Sequence, residues 1–349
     1  MHIAVMRRTA WIALLTLIAL PARPCSTFCL ARGGEAVFGR NYDFEIGNGF
    51  VMTNMRGAQK RSYLGTTSWT ARYGSVTFNQ FGKGFPMDGM NEAGLVVALM
   101  WLDGTEYPAD DQRPALTVLE WIQYQLDNYA TVAEVLANAE NVRIVRRGTP
   151  LHYLVADRTG AGATIEFLGG RLVVHSGDSL PTANLTNHSY DESVRYLNGR
   201  RSIPTGVDSL ARFARTAMLM RQTNGSRPIV DQAFDILRSV AQPGWTRWSV
   251  VYDMTGRNVH WTTLANSTPR SIALAAIDFG CAAAQKMIDV DGQEWESYSS
   301  AANLDLIARS YAGTSFLRDA PREAIEGDAR YSDSWTCAPA APKRRSVKP

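Results

Sequence analysis

The chain has 349 residues, 45% of them hydrophobic and 20% charged, which is long and apolar enough to bury a large core. The formal net charge is +3, but three arginines and no acidic residue lie in the first 24 residues, so the remainder is formally neutral. A neutral chain has no surplus of Lys and Arg for phosphate binding, which argues against nucleic acid as a partner.

The first 24 residues have the pattern of a secretory signal followed by a short propeptide. Arg7 and Arg8 precede an apolar run of 11 residues, Ala10 to Leu20. This run is well below the ~18 apolar residues of a spanning helix, and no later segment replaces it, so stable membrane insertion is not expected. We expect signal cleavage after Ala22, autocatalytic removal of Arg23-Pro24, and a periplasmic or secreted protein.

Cys25 is the most informative residue, because this processing would make it the first residue of the mature chain. An N-terminal cysteine has a thiol and also an α-amine, whose reference pKa of ~7.7 to 8.0 suits a base near neutral pH. One residue could then supply both the nucleophile and the base. Arg23 and Pro24 occupy the two positions before Cys25 where a lipidation signal needs small residues, so lipidation is the weaker interpretation.

The mature chain is predicted to form one domain over residues 25–335, because no Pro/Ser-rich linker divides it. Its last part, residues 336–349, contains Lys343-Arg344-Arg345 and is expected to be a disordered basic tail. For an exported chain with four cysteines, we expect a disulfide between Cys281 and Cys337, the alternative being two free thiols. Cys29 is expected to be a small core residue.

The first half of this domain is predicted to be mostly β, with two helices after it. Strands are predicted at Phe28–Ala31 and Ala36–Phe44, joined by a turn at Gly33-Gly34, and then at Ser75–Phe81 and Leu95–Leu102. Helical spacing of Leu116, Leu119, Ile122 and Leu126 predicts a helix, and Thr131 with Glu134 predicts the capped start of a second.

The second half alternates blocks of strands and helices. Strands are predicted at Leu151–Ala156, Thr164–Phe167 and Leu172–His175, helices at Ser209–Gln222 and Asp231–Val240, and a last hairpin at Trp248–Asp253 and Asn258–Thr263. Such blocks favour sheets covered by helices over a βαβ alternation.

Three short motifs resemble one known family when taken together. They are the run from Cys25 to Phe28, the run Arg40-Asn41-Tyr42-Asp43, and the run Asp88-Gly-Met-Asn-Glu-Ala-Gly-Leu95, in which Asn91 is expected to shape a turn. Their order and spacing resemble the choloylglycine hydrolase and penicillin V acylase family of N-terminal-nucleophile hydrolases. The resemblance implies an α+β fold, a four-layer αββα sandwich of antiparallel sheets flanked by helices, and hydrolysis of a linear, non-peptide amide.

The resemblance also implies site residues. Cys25 matches the nucleophile, Arg40 would favour its thiolate, and Asp43 would orient the α-amine. Asn187 and the backbone N–H of Trp101 would stabilise the oxyanion, and Arg212 would brace the site, although Arg215 lies close to the same motif position. No metal and no cofactor are implied. The partner is a small acyl amide, and a homo-oligomer is implied.

Aromatic residues near these motifs predict the acyl pocket. Phe44, Trp101 and Trp248 are the candidates, and each could equally belong to the core. They favour an aromatic or long acyl group. Related scaffolds accept conjugated bile acids, penicillin V or acyl homoserine lactones, and the sequence does not choose among these.

Other functions remain open at this point. An acyltransferase would use the same thioester with an amine in place of water, and an exported acyl-amide binding protein would retain the scaffold without turnover. A secreted cysteine peptidase would need a Cys–His dyad, for which His188 is the candidate. Motifs for zinc, serine-hydrolase or nucleotide chemistry do not occur in the sequence.

Overall fold

A computed structural model describes residues 25–145, 147 and 149–337. The predicted signal peptide and propeptide, residues 1–24, and most of the predicted tail, residues 338–349, lie outside the described residues. The described strands are β1 (Ser26–Arg32), β2 (Glu35–Asp43), β3 (Phe50–Asn54), β4 (Ala58–Arg61), β5 (Ser68–Thr70), β6 (Ser75–Asn79), β7 (Pro86–Asn91), β8 (Val96–Trp101), β9 (Ala115–Thr117), β10 (Arg143–Val145), β11 (Leu151–Ala156), β12 (Gly162–Leu168), β13 (Arg171–Ser176), β14 (Asn184–Leu185), β15 (Thr246–Asp253), β16 (Asn258–Thr263), β17 (Arg270–Ala273), β18 (Lys286–Asp289), β19 (Glu296–Ser297) and β20 (Thr336–Cys337). The described helices are α1 (Glu120–Asn128), α2 (Val132–Asn138), α3 (Tyr190–Asn198), α4 (Ser209–Gln222), α5 (Ile229–Val240), α6 (Ser300–Gly313) and α7 (Arg322–Asp333).

Two antiparallel sheets form the centre of the molecule. The first has the strand order β14-β1-β2-β15-β16-β17, and the second has the order β13-β12-β11-β8-β7-β6-β3-β18-β19. The tight connection between β1 and β2 uses Gly33 and Gly34 at φ 60° and 86°, a left-handed backbone that glycine adopts without strain. This hairpin brings the start of β1 beside the end of β2.

Helices cover the outer faces of both sheets. On β1, Phe28 and Leu30 face α5, where they pack with Ala233 and Leu237, while Cys29 faces the core between the sheets. This alternation follows from the two-residue period of a strand. On the other side, α1 packs on β7 and β8. The fold is therefore α+β, with antiparallel sheets between helices, as the resemblance implied.

Most of the predicted elements are confirmed, with ends that agree within two residues. The exception is the helix predicted from Leu116, because Ala115–Thr117 is instead a strand that pairs in parallel with β10. Helix α1 begins only at Glu120. Thr131 caps α2 as predicted, since its side chain accepts a hydrogen bond from the Glu134 N–H.

The chain end departs from the predicted boundary. Thr336 and Cys337 form β20, which pairs with β4, so the folded chain extends past residue 335 and the predicted tail boundary is wrong by two residues. The disulfide between Cys281 and Cys337 is confirmed, and it fixes this end of the chain. Cys29 is buried and unpaired, as expected of a core residue. Among the described helices, none has the length and apolar character needed to cross a membrane.

Candidate active site

Cys25 immediately precedes β1, at one end of an internal strand of the first sheet. Ser26 pairs with Asn41, so Cys25 lies next to the end of β2. Its backbone N–H donates to Asn187 Oδ1 at 2.9 Å, and its Sγ is 3.9 Å from the Asp43 carbonyl oxygen. The residue is only 5% exposed. The structure therefore brings three of the predicted site residues together around one thiol.

Arg212 reaches this point from the first turn of α4. Its guanidinium donates to the carbonyl oxygen of Cys25 at 2.8 Å, to Ser26 Oγ at 2.6 Å and to Asn187 Oδ1 at 2.9 Å. Arg215, one turn further along α4, donates instead to three backbone carbonyls away from Cys25. The motif left Arg212 and Arg215 as alternatives, and the structure places Arg212 beside Cys25.

Asn187 links Cys25 to the second sheet. Its Oδ1 accepts from both Cys25 and Arg212, and its Nδ2 donates to the carbonyl oxygen of Trp101 at 3.0 Å. The two donors on one side and the acceptor on the other fix which end of the amide is oxygen. One of the two Nδ2 hydrogens is therefore engaged within the protein.

Asp43 is the site carboxylate with an incomplete set of partners. Its Oδ1 accepts from Thr246 Oγ1, while Oδ2 is buried with no hydrogen-bond partner among the described residues. Burial raises the pKa of Asp43 from 3.8 to about 7, although Arg212, Thr246 and Arg40 act in the opposite direction. A buried acceptor without a donor is costly, so this oxygen is placed to receive a further N–H.

Arg40 is held by partners on the second sheet. It forms a fully buried ion pair with Asp88 at 2.9 Å and donates to the Met87 carbonyl at 2.9 Å, and no salt bridge joins it to Asp43 in the described structure.

Burial raises the pKa of the Cys25 thiol, and Arg40 is the strongest influence that lowers it again. The thiol is thus held protonated at neutral pH and needs a base.

Cys25 and Asp43 border an apolar cavity of about 290 Å³. Phe44 and Trp101 line it, as predicted, together with Tyr42, Phe81, Phe85, Met87, Leu99, Val118, Leu119 and Leu151. Trp248, the third candidate, lies outside this lining and packs in the core, the alternative that the sequence left open. Its ring is fully buried behind Tyr42, with ring centroids 4.2 Å apart, because Tyr42 occupies the position nearer the cavity.

His188, the candidate for the alternative Cys–His dyad, does not contact Cys25 through a hydrogen bond from its Nδ1. That nitrogen is buried without a hydrogen-bond partner among the described residues, and the Cys25 N–H is engaged by the preceding residue, Asn187. Asn91, as expected, shapes a turn, since its Oδ1 accepts from the N–H groups of Ala93 and Leu95.

Comparison with known proteins agrees with this geometry. The model of the linear amide C–N hydrolases, choloylglycine hydrolase family, matches residues 25–199, starting at Cys25. The chain belongs to this family. It is 27% identical to the penicillin V acylase of Pectobacterium atrosepticum in an alignment of 274 residues that covers 61% of this chain and 72% of that protein.

Solved structures show the same relationship. The penicillin V acylase of Agrobacterium tumefaciens is 25% identical with a TM-score of 0.68, covering 77% of this chain and 92% of its own. A variant of conjugated bile acid hydrolase from Clostridium perfringens shares the fold, with 20% identity and a TM-score of 0.65 over 79% and 97% of the two chains. The chain is therefore a linear amide C–N hydrolase.

In this amide hydrolase, one wall of the cavity is formed by residues that come later in the sequence than the part that the family model matches. We call residues 300–337, which contain α6, α7 and β20, the C-terminal strap. It supplies Tyr311, Phe316, Leu317, Ala320, Ala324 and Asp328 to the lining. Asp328 forms an ion pair with Arg147 at 2.7 Å and accepts from Tyr311 Oη at 2.6 Å.

The helices of the strap are not predicted from the sequence, because their buried faces are partly polar. On α6, Asn303 and Ser310 are fully buried, where they bond to the backbone of Lys83 and Gln80. On α7 the buried residues are Asp328, Ala329 and Ser332. A search for buried apolar residues at helical spacing therefore fails here, although Ile307 with Tyr311, four residues apart, is a weak signal of α6.

Proposed function

We propose that Cys25, made N-terminal by removal of residues 1–24 from an exported precursor, hydrolyses an acyl amide through a thioester. The observation that carries this proposal is the convergence of Cys25, Asn187 and Arg212 beside an apolar cavity. The thiol would attack the amide carbonyl, and the acyl group would occupy the cavity. This arrangement matches nucleophilic catalysis by a cysteine with its own base.

The proton would be handled by the α-amine. Sγ bonds to the carbonyl carbon as the thiol proton moves to the amine, and the carbonyl oxygen becomes an oxyanion. Collapse then breaks the C–N bond while the α-ammonium returns a proton to the leaving amine. Water adds to the thioester, the C–S bond breaks, and the acid and free thiol are released.

Asp43 would orient the α-amine. The nitrogen of Cys25 already donates one hydrogen bond, to Asn187. Cleavage would give this nitrogen additional hydrogens, and the unpartnered Asp43 Oδ2 is the buried acceptor adjacent to Cys25 that lacks a donor. A cationic amine would also favour the ionised carboxylate and so lower the pKa of Asp43 from about 7.

Asn187 and Trp101 would stabilise the oxyanion. The second Nδ2 hydrogen of Asn187 is the side-chain donor in this proposal. Leu102 N–H donates to the Pro150 carbonyl at 3.1 Å, so the neighbouring pair of Trp101 and Leu151 belongs to the non-hydrogen-bonded positions of the ladder. The Trp101 N–H is therefore directed away from β11. Losing one such donor costs on the order of 100-fold to 1000-fold in turnover.

The cavity favours a compact apolar acyl group. Its lining is mainly aromatic and aliphatic, and its volume of about 290 Å³ is at the small end of the ~300 to 1,000 Å³ of ligand sites. Such a cavity suits an aryl or medium-length acyl group better than a large one. We therefore propose aryl-acyl amides, of which penicillin V is an example, as the first substrates to examine.

The decisive experiment compares the two free cysteines. Cys25→Ala should retain the propeptide and hydrolyse nothing, whereas Cys29→Ala, four residues away in the core, should be processed and active. Intact mass and N-terminal sequencing report processing, and release of amine from phenoxyacetyl and alkanoyl amides reports hydrolysis. Turnover by Cys25→Ala would contradict the mechanism.

Two further outcomes distinguish the related functions. A processed protein that binds acyl amides but cleaves none would be a binding protein. Transfer of the acyl group to added hydroxylamine in preference to water would indicate an acyltransferase.

A further inference from the structure

A buried histidine–glutamate pair lies beneath Asn187. His152 on β11 and Glu166 on β12 are both fully buried, and His152 Nδ1 is 2.9 Å from Glu166 Oε1. Tyr153 pairs with Ile165 in this ladder, so His152 and Glu166 stand directly opposite each other. Burying such a pair is costly unless every polar atom has a partner, so its contacts are informative.

The second ring nitrogen of His152 contacts the chain segment that carries Asn187. His152 Nε2 lies 2.7 Å from the carbonyl oxygen of Thr186. A carbonyl oxygen only accepts, so Nε2 must carry a hydrogen and donate it. Glu166 also accepts from the Tyr190 N–H, at 3.0 and 3.2 Å to its two oxygens, which holds the carboxylate in place behind the ring.

The Thr186 carbonyl and the Asn187 N–H belong to the same peptide unit. While His152 donates to the carbonyl, the Asn187 N–H donates to Ser209 Oγ at 2.8 Å. This peptide follows the last residue of β14, Leu185, and side chains hold both of its polar groups where a sheet ladder would otherwise do so. The peptide plane that sets the position of the Asn187 side chain is therefore clamped at both ends.

We propose that His152, supported by Glu166, and Ser209 are positioning residues for the amide hydrolysis, acting through the Thr186–Asn187 peptide. This inference rests on the proposed role of Asn187 as oxyanion donor. An oxyanion donor is effective only if it is held in place before the reaction, and a displacement of ~1 Å in such a group can cost ~100-fold in rate. Rotation of this peptide would move Asn187 away from Cys25 and Arg212 together.

Two variants isolate the Nε2–H donor. In Glu166→Gln, the new amide can donate to Nδ1 and a neutral His152 keeps its Nε2–H, so kcat should stay within about twofold of wild type. In the double variant His152→Phe with Glu166→Gln, the donor is lost but no buried charge is left without its partner. We expect kcat to fall roughly tenfold or more, with KM within about twofold.

Ser209→Ala tests the other end of the clamp without touching the pair. It should also lower kcat more than KM. The matched control is His260→Gln, since that histidine lies on β16 and hydrogen-bonds Ser271, away from Asn187. It should have no effect on either constant.

The path through Asn187 is tested in an Asn187→Ala background. There the double variant should cost less than about twofold in kcat, because the group it positions is already absent. A full loss in that background would overturn the proposal, since the pair would then act elsewhere.

An activity-independent measurement keeps the inference separate from the proposed function. In protein labelled with ¹⁵N-asparagine, the side-chain amide signals of Asn187, identified by their loss in Asn187→Ala, should shift in the double variant and in Ser209→Ala. They should not shift in His260→Gln or Glu166→Gln. Unchanged Asn187 signals in the double variant would refute the clamp, whether or not the wild-type protein cleaves any amide tested.

Discussion

The two walls of the cavity are built on different principles. On the Cys25 side, Arg212 and Asn187 are held by hydrogen bonds of 2.6 to 3.0 Å that connect α4, β1 and the end of β8. On the opposite side, the C-terminal strap contributes mostly aromatic and aliphatic side chains, with the Arg147–Asp328 ion pair as its polar feature. Hydrogen bonds depend steeply on geometry, whereas apolar packing tolerates exchange of similar volumes. Substitutions on the first wall should therefore affect the chemistry, and those on the second should affect the choice of acyl group.

Among the residues that hold Cys25 and Asn187 in place, Arg212 should give the largest effect. Replacing it with methionine removes the donors that fix Asn187 Oδ1 and the Cys25 carbonyl, and we expect kcat to fall on the order of 100-fold. Arg215→Met, three residues along the same helix, should leave kcat within about threefold, because that side chain contacts carbonyls outside the site. Steady-state kinetics on one acyl amide measure kcat for both variants. Equal losses of kcat would show that Arg212 and Arg215 do not differ in their contribution to the site.

Asp43, which lies on the hydrogen-bonded wall, should make the free energy of unfolding depend on pH. Its pKa is raised to about 7 by burial, so the folded precursor holds a proton that the unfolded chain releases above about pH 4. The stability contributed by this proton is complete below pH 4 and lost as the pH rises through about 7. In a Cys25→Ala precursor, Asp43→Asn should therefore have little effect near pH 4.

The same variant should stabilise the precursor at pH 8. A shift of about three pKa units corresponds to an upper limit of roughly 4 kcal/mol in the free energy of unfolding. Urea denaturation of both precursors at the two pH values measures the difference, and the low-pH pair serves as the internal control. An equal change at both pH values would show that folding does not shift the pKa of Asp43.

The smallest effect should come from the strap wall. Ala324→Leu adds volume to the cavity lining, and we expect kcat/KM for a bulky aryl-acyl amide to fall roughly tenfold while that for an acetyl amide stays within about twofold. Ala301→Leu, at an exposed position near the start of α6, is the control. If both substrates lost activity equally in Ala324→Leu, the strap would support the nucleophile as well as the acyl group.

The two walls also differ in how far the sequence predicts them. Cys25, Asn187 and Arg212 are implied by the resemblance of the sequence to one family, and the hairpin of β1 and β2 follows from local alternation and two glycines. The partner of Arg40 does not follow, because Asp88 is distant in sequence and only the approach of β7 to the first sheet brings it near.

Three other features depend on packing between distant segments. Leu116 has helical spacing with Ile122 and Leu126, yet it belongs to a strand because β10 offers a parallel partner. Trp248 is aromatic and adjacent to the site in the sheet, yet Tyr42 stacks in front of it. The strap has polar residues on its buried faces, so its amphipathic pattern is hidden.

The disulfide joins Cys337, at the end of the strap, to Cys281. Beside this bond, β20 pairs with β4. Between α6 and this bond, the strap is one uninterrupted length of chain, and among the described residues its hydrogen bonds do not reach Cys25, Asn187 or Arg212. The C-terminal strap is thus a contiguous block of the chain, and the disulfide anchors its end. Exchanging that block as a unit, with Phe316 kept because its ring packs against Trp101 at a centroid distance of 6.1 Å, should change which acyl groups the cavity accepts while keeping the hydrogen bonds among Cys25, Asn187 and Arg212.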